Sequence, residues 1–341
     1  MKAIKNSKLF VQIGLPKTAT TTLQREIYPL LCKHTKYSYW REDPTLEHLI
    51  TASKYKGIMG FECEKIEIPD FTLISLESLI YYDPRRWESQ ANSNKIIFGE
   101  DAHIFITLRE PRSYLTSIYT ETCLHSGLAH PPEYFFLSEN ECSDHFLAPA
   151  FSIDEFSYQR LINIYKERFK TVTVVKYEEL SKLEFINDFF DVDDIQFENM
   201  KSRFKVKRFN RGFSERMVKN LLFLNRVLGL AGLSFGKHSN NASVNLLRDG
   251  DRLAPQESSR GRIKLLVNFF KRNLKRLKRL AFSNFKIPTS RYYWYLVLKI
   301  IDKLFPSRKF KLDFDKLNYI NIDKLDAEYL TISEYKTYSR E

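Results

Sequence analysis

The densest chemistry in the chain lies near its start, in Ile13-Gly14-Leu15-Pro16-Lys17-Thr18-Ala19-Thr20-Thr21-Thr22-Leu23. An apolar run, Leu9 to Gly14, precedes the loop and reads as a buried strand. A helical pattern follows from Thr20 to Leu31, with Leu23, Ile27, Leu30 and Leu31 on one stripe. A helix that opens directly off a strand leaves its first backbone N–H groups without intrahelical partners, and its dipole places partial positive charge there. Lys17 adds a full charge and the threonine hydroxyls add donors, a combination suited to a phosphate. A plainer reading stays open: a helix start capped by threonine, with Lys17 in solvent. The loop is not the G-x-x-x-x-G-K-[ST] of nucleoside triphosphatases, because Pro16 rather than Gly precedes Lys17. ATP or GTP hydrolysis is disfavoured on that ground.

The elements that must hold this loop are legible as an alternation. Phe71 to Ser75, Ala102 to Leu108 and Thr171 to Val175 read as further strands. Helical patterns run from Tyr114 to Thr122 and from Phe156 to Phe169. Strand–helix alternation of this kind predicts an α/β domain with a central parallel sheet flanked by helices. After about Asp194 the strand-like runs stop and basic helical segments take over, at Ser214 to Leu228 and Ile263 to Ala281. The expected organisation is an α/β core over 1–215 and a helical, basic C-terminal region over 216–341. Asn240 to Ser259 is polar and reads as a linker.

Gly14, Pro16, Lys17, Thr18, Thr20, Thr21 and Leu23 together resemble the 5′-phosphosulfate loop of sulfotransferases that use 3′-phosphoadenosine 5′-phosphosulfate (PAPS), usually P-K-[CST]-G-[ST]-[ST]-x-L. Ala19 stands where that family usually has Gly, which a negative φ would tolerate. The same resemblance calls for a strand-end Arg followed by Pro and, eight residues on, Ser. Arg109, Pro111 and Ser117 supply them. In the family this Arg and Ser grip the 3′-phosphate, and a forked, permanently charged guanidinium suits a phosphate dianion. A strand-end Arg in a surface ion pair is the plainer alternative.

Val174 to Leu180 resembles the family's Y-E-[DE]-[LM] strand end, which would put Tyr177 near the adenine. Arg211-Gly212 falls where the family has a second basic loop on the 3′-phosphate. Leu73 to Glu77 resembles an I-S-S-E strand end. The resemblance covers residues 9 to about 215 and implies a P-loop-like fold. It also implies PAPS as co-substrate, the loop residues Gly14 to Thr22 with Arg109, Ser117, Tyr177 and Arg211 as its binding set, and no metal.

Sulfuryl transfer needs donor and acceptor in line, charge neutralised on the leaving phosphate, and a base for the acceptor's proton. Lys17 suits the second task. Glu77 is the first candidate base and Glu42 the runner-up, with Asp43 beside it; Glu77 could equally cap a helix. His48 and His103 read as structural. Trp40, Tyr81, Tyr82, Trp87 and Tyr119 could stack on an acceptor or lie in the core.

Net charge is +12 over 341 residues, yet Arg260 to Arg279 holds nine basic residues and no acidic one. Removing those nine leaves +3 for the other 321 residues, so a nucleic-acid-coating surface is not expected. The basic stretch carries an apolar stripe at helical spacing, which fits a peripheral contact of residues 260–281 with an anionic membrane, a glycan platform, or a packed helix with a solvated face. No run reaches the ~20 apolar residues of a spanning helix. Four scattered cysteines without CxxC, and no signal peptide pattern, lead to the expectation of a reducing, cytoplasmic location, with peripheral membrane attachment open. The expected function is sulfuryl transfer from PAPS to a hydroxyl or amine, on a carbohydrate or lipid-linked glycan. The alternatives are a kinase-like phosphotransferase with a degenerate loop and a non-catalytic membrane-binding protein.

Overall fold

The computed structural model describes residues 8–58, 65–121, 131–138, 150–206, 214–230, 307–317 and 319–340. The chain forms two compact units. One comprises Met1–Ile118, Phe151–Arg211 and Asp313–Glu341; the other comprises Tyr119–Ala150 and Gly212–Leu312.

The first unit is built on a six-stranded sheet. Its strands are β1 (Leu9–Gly14), β2 (Ser38–Tyr39), β3 (Thr72–Ser75), β4 (His103–Leu108), β5 (Thr171–Lys176) and β6 (Tyr335–Ser339), in the spatial order β2-β3-β1-β4-β5-β6. The first five run parallel, and β6 pairs antiparallel with β5. Every residue of β4, and all of β1 but Leu9, is buried. A strand covered on both faces must be apolar throughout, which is why these strands read as unbroken hydrophobic runs. Phe10 anchors the core, with ring centroids 5.4 Å from Phe105, 6.0 Å from Phe189 and 5.2 Å from Phe190.

Helices flank this sheet. The first, α1, is continuous but not uniform: Thr20–Thr22, a π turn over Leu23–Ile27, then Tyr28–Lys33. Then come α2 (Pro44–Ile58), α3 (Trp87–Phe98), α4 (Pro111–Ile118), α5 (Tyr158–Lys166), α6 (Glu184–Phe189) and α7 (Asp194–Val206). The expectation that strands stop near Asp194 is corrected by β6. Tyr335 to Ser339 is a polar edge strand whose β-forming Tyr and Thr residues lack an apolar run, so hydropathy alone does not reveal it.

In the second unit Tyr119 packs against Phe135, Phe136 and Phe310, at 5.7, 6.2 and 6.0 Å between centroids. Its helix α8 (Glu215–Leu230) starts at Ser214, whose Oγ accepts the Met217 N–H at 3.1 Å. The basic segment 260–281 and Arg211 lie outside the described residues. Among the described residues, no helix is long and apolar enough to cross a membrane. The C-terminal helix α9 (Ile322–Thr331) belongs to the first unit.

Candidate anion-binding site

In an open parallel sheet, ligands bind beyond the carboxyl ends of the strands, where neighbouring connections leave in opposite directions. That point lies between β1 and β4. The chain leaves β1 toward β2 and β3, whereas from β4 it goes on to β5. The loop after β1 and the turn after β4 therefore face the same crevice.

The loop is held by its backbone. Gly14 has φ +101°, where a side chain is strained, and a Cβ there would crowd the Pro16 nitrogen at 3.2 Å. The Leu15 N–H donates to the Thr107 carbonyl at 3.2 Å, tying the loop to β4. Lys17 and Ala19 have positive φ, +67° and +61°, and Thr18 and Thr20 between and after them do not. Alternating signs of this kind turn successive N–H groups toward one concave side, an arrangement that holds anions. Ala19 thus departs from the negative φ that its methyl would favour. It is left-handed (ψ +16°), and its carbonyl accepts the Thr22 and Leu23 N–H groups, at 2.9 and 3.2 Å, at the start of α1. The amides of Thr20 and Thr21 stand ahead of that ladder, where a ligand would meet them.

The hydroxyls divide. Thr18 is fully buried, and its Oγ1 donates to the Leu15 carbonyl at 2.5 Å. Its proton being engaged there, Thr107 Oγ1 donates to Thr18. The Thr18 hydroxyl therefore staples the loop, and its backbone N–H is what it can offer a ligand. The Thr20 hydroxyl donates to Glu77 Oε1, which brings that carboxylate from the end of β3 to the first turn of α1. Thr21 is half-buried and Thr22 buried.

Arg109 joins this cluster from β4. Its Nη1 donates to the Lys17 carbonyl at 3.0 Å, and its guanidinium lies over the Tyr177 ring at 5.0 Å. Tyr177 follows β5, and its N–H donates to the Leu108 carbonyl at 2.6 Å. Tyr158 OH donates to the Arg109 carbonyl at 2.6 Å and fixes the turn. Glu110 then caps α4 by accepting the Arg112 and Ser113 N–H groups at 3.1 and 2.8 Å, with Pro111 opening the helix. Ser117 sits half-buried near the end of α4.

Of the two candidate bases, Glu77 stands at the loop, whereas Glu42 is exposed beyond the edge strand β2, with β3 between that strand and β1. Trp40, Trp87 and Tyr119 are buried. Tyr81 and Tyr82 are partly open, and their rings lie 4.4 Å apart, tilted by 34°. His48 is exposed, and His103 is buried inside β4.

Sequence reasoning missed Thr107, Tyr158 and a buried polar chain beneath the loop. In that chain Ser75 Oγ donates to Gln12 Oε1 at 2.7 Å, and Gln24 Nε2 donates to the Ser75 carbonyl at 3.0 Å. Gln12 inside an otherwise apolar strand was the available signal. Among the described residues no cluster of His, Cys, Asp or Glu could hold a metal ion. The Cys32 thiol is pushed up to about 12 by burial, which leaves it protonated and poorly nucleophilic. No family model and no curated protein matches the chain.

Proposed function

We propose that this protein transfers a sulfuryl group from PAPS to a hydroxyl-bearing acceptor. The observation that supports the reading is the bond from Arg109 to the Lys17 carbonyl, which joins two segments, 92 residues apart, that resemble the family's two phosphate motifs. A ligand with two separate phosphoryl ends fits such a site. The loop amides and Lys17 would take the 5′-phosphosulfate, and Arg109 with Ser117 the 3′-phosphate.

In the reaction the acceptor oxygen forms a bond to sulfur while the bridging bond from sulfur to the 5′-phosphate oxygen breaks. Charge grows on the leaving phosphate, where Lys17 and the amides of Thr20 and Thr21 stabilise it. The acceptor's proton must leave, and we assign that proton to Glu77, the carboxylate that stands beside the loop through its bond from Thr20. We assign a glycan as the acceptor class, with the half-buried rings of Tyr81 and Tyr82 as the surface for a sugar face.

The test is transfer of labelled sulfate from PAPS to a panel of glycans, phenols and amines. Lys17→Met should lower turnover by on the order of 100-fold or more, as loss of an electrostatic donor does elsewhere. Absence of transfer to every acceptor class, with normal turnover of ATP and Mg²⁺, would replace this reading with a phosphotransferase.

A further inference from the structure

The anion-reading turn at Arg109 is braced by a helix from the far end of the chain. On α9, Ile322, Leu325, Asp326 and Tyr329 share one face by helical spacing. Asp326 and Asp323 accept from Arg112, at 2.7 and 2.9 Å, in the first turn of α4. Glu328 accepts the Ser157 hydroxyl and the Gln159 N–H, at 2.9 and 2.7 Å, at the start of α5. Tyr329 follows Glu328 on the same helix.

Its hydroxyl donates to Glu178 Oε2 at 2.6 Å, and the Lys176 ammonium lies over its ring at 4.5 Å. Its ring also packs on Tyr158, 5.8 Å between centroids. Tyr158 is the residue that donates to the Arg109 carbonyl, and Tyr177, between Lys176 and Glu178, is the ring under the Arg109 guanidinium. Tyr329 thus touches Tyr158, which holds the Arg109 backbone, and both chain neighbours of Tyr177, the ring beneath the Arg109 side chain.

We propose that Tyr329 is a positioning residue for the anion site, setting Arg109 through Glu178–Tyr177 on one side and Tyr158 on the other. Its effect on ligand affinity rests on the sulfotransferase reading; its effect on the Arg109 turn does not. A Tyr hydroxyl bonded to a carboxylate is among the stronger neutral-to-charged hydrogen bonds, and removing it leaves Glu178 without that donor. Loosening should reach Arg109 before the Lys17 loop, which has its own staple in Thr18 and Thr107.

The experiment uses the full chain carrying Tyr329→Phe, which keeps the ring on Lys176 and Tyr158. Amide hydrogen exchange should quicken about tenfold across 109–115 and 177–179 and stay unchanged across 15–23. Affinity for adenosine 3′,5′-bisphosphate should fall about tenfold while affinity for pyrophosphate, read by the loop alone, holds. Glu178→Gln, which retains an oxygen acceptor, should lose less than Glu178→Ala. Unchanged exchange at 109–115, or an equal rise across both regions, overturns the proposal. So does an equal loss of both ligands. If the exchange pattern appears but wild-type protein ignores the bisphosphate, the brace stands and the sulfotransferase reading falls.

Discussion

Lys17, Ala19 and Thr18 show how a few residues make one loop. Ala19 holds a left-handed conformation that costs an L-residue about 1–2 kcal/mol. Glycine relieves this strain but adds about 0.4–1 kcal/mol of unfolded-state entropy. Ala19→Gly should therefore raise stability by about 0.5–1 kcal/mol in urea titrations, and a loss of stability would mean that the methyl is packed favourably. Thr18→Val keeps the shape but leaves the Leu15 carbonyl and the Thr107 hydroxyl without their partner. That change should destabilise by about 1–3 kcal/mol. The loop's setting was legible because it depends on residue type: a Lys and hydroxyls between an apolar strand and a helix. Its backbone was not, since nothing in the letters assigns positive φ to Lys17 and Ala19. The direction of each hydroxyl was equally hidden, because only the register of β1 against β4 puts Thr107 beside Thr18.

At the level of elements, the buried parallel strands were readable because burial on both faces forces apolar runs. Helix α3 was not, since Trp87 to Phe98 is mostly polar and its buried face includes Gln90 and Asn94. Asn94 instead donates to the Leu79 carbonyl and the Tyr165 hydroxyl, at 2.9 and 3.0 Å. The edge strand β6 also joins the sheet through side chains: His103 Nε2 pairs with Thr173 Oγ1 at 2.8 Å, and Thr173 with Thr337 at 2.8 Å. Burial between β-strand neighbours holds the His103 imidazole neutral, with its pKa pushed down to about 3. The unfolded chain titrates that histidine near 6.5, so it binds the extra proton between those values. Stability should therefore fall as pH drops from about 6.5 toward 3. In His103→Gln this acid limb should be shallower, compared as urea midpoints at pH 7, 5.5 and 4. Parallel slopes in the two proteins would show that His103 does not carry it.

On the scale of the whole molecule, the chain brings distant segments to the carboxyl ends of the strands of one sheet. Lys17 comes from the first strand, Arg109 from the fourth, Tyr177 from the fifth, and their brace from α9. The first three could be inferred from motif and strand end; the brace could not, because Tyr329 and Glu178 are 151 residues apart and ordinary in type. The membrane reading of the basic segment 260–281 predicts binding to anionic vesicles that weakens as salt shortens screening from about 8 Å at 0.15 M to about 3 Å at 1 M. Protein that stays in the supernatant at low salt would exclude that role. The central claim is that the Lys17 loop and the Arg109 turn read two phosphoryl groups on one nucleotide. It is tested most directly by thermal unfolding without Mg²⁺ in the presence of adenosine 3′,5′-bisphosphate or AMP, for wild type and Arg109→Ala. A ligand that binds only the folded state raises the midpoint in proportion to its affinity. The bisphosphate should raise it clearly, AMP little, and Arg109→Ala should lose most of the difference. Equal shifts from both nucleotides, or a bisphosphate shift untouched by Arg109→Ala, would contradict the account.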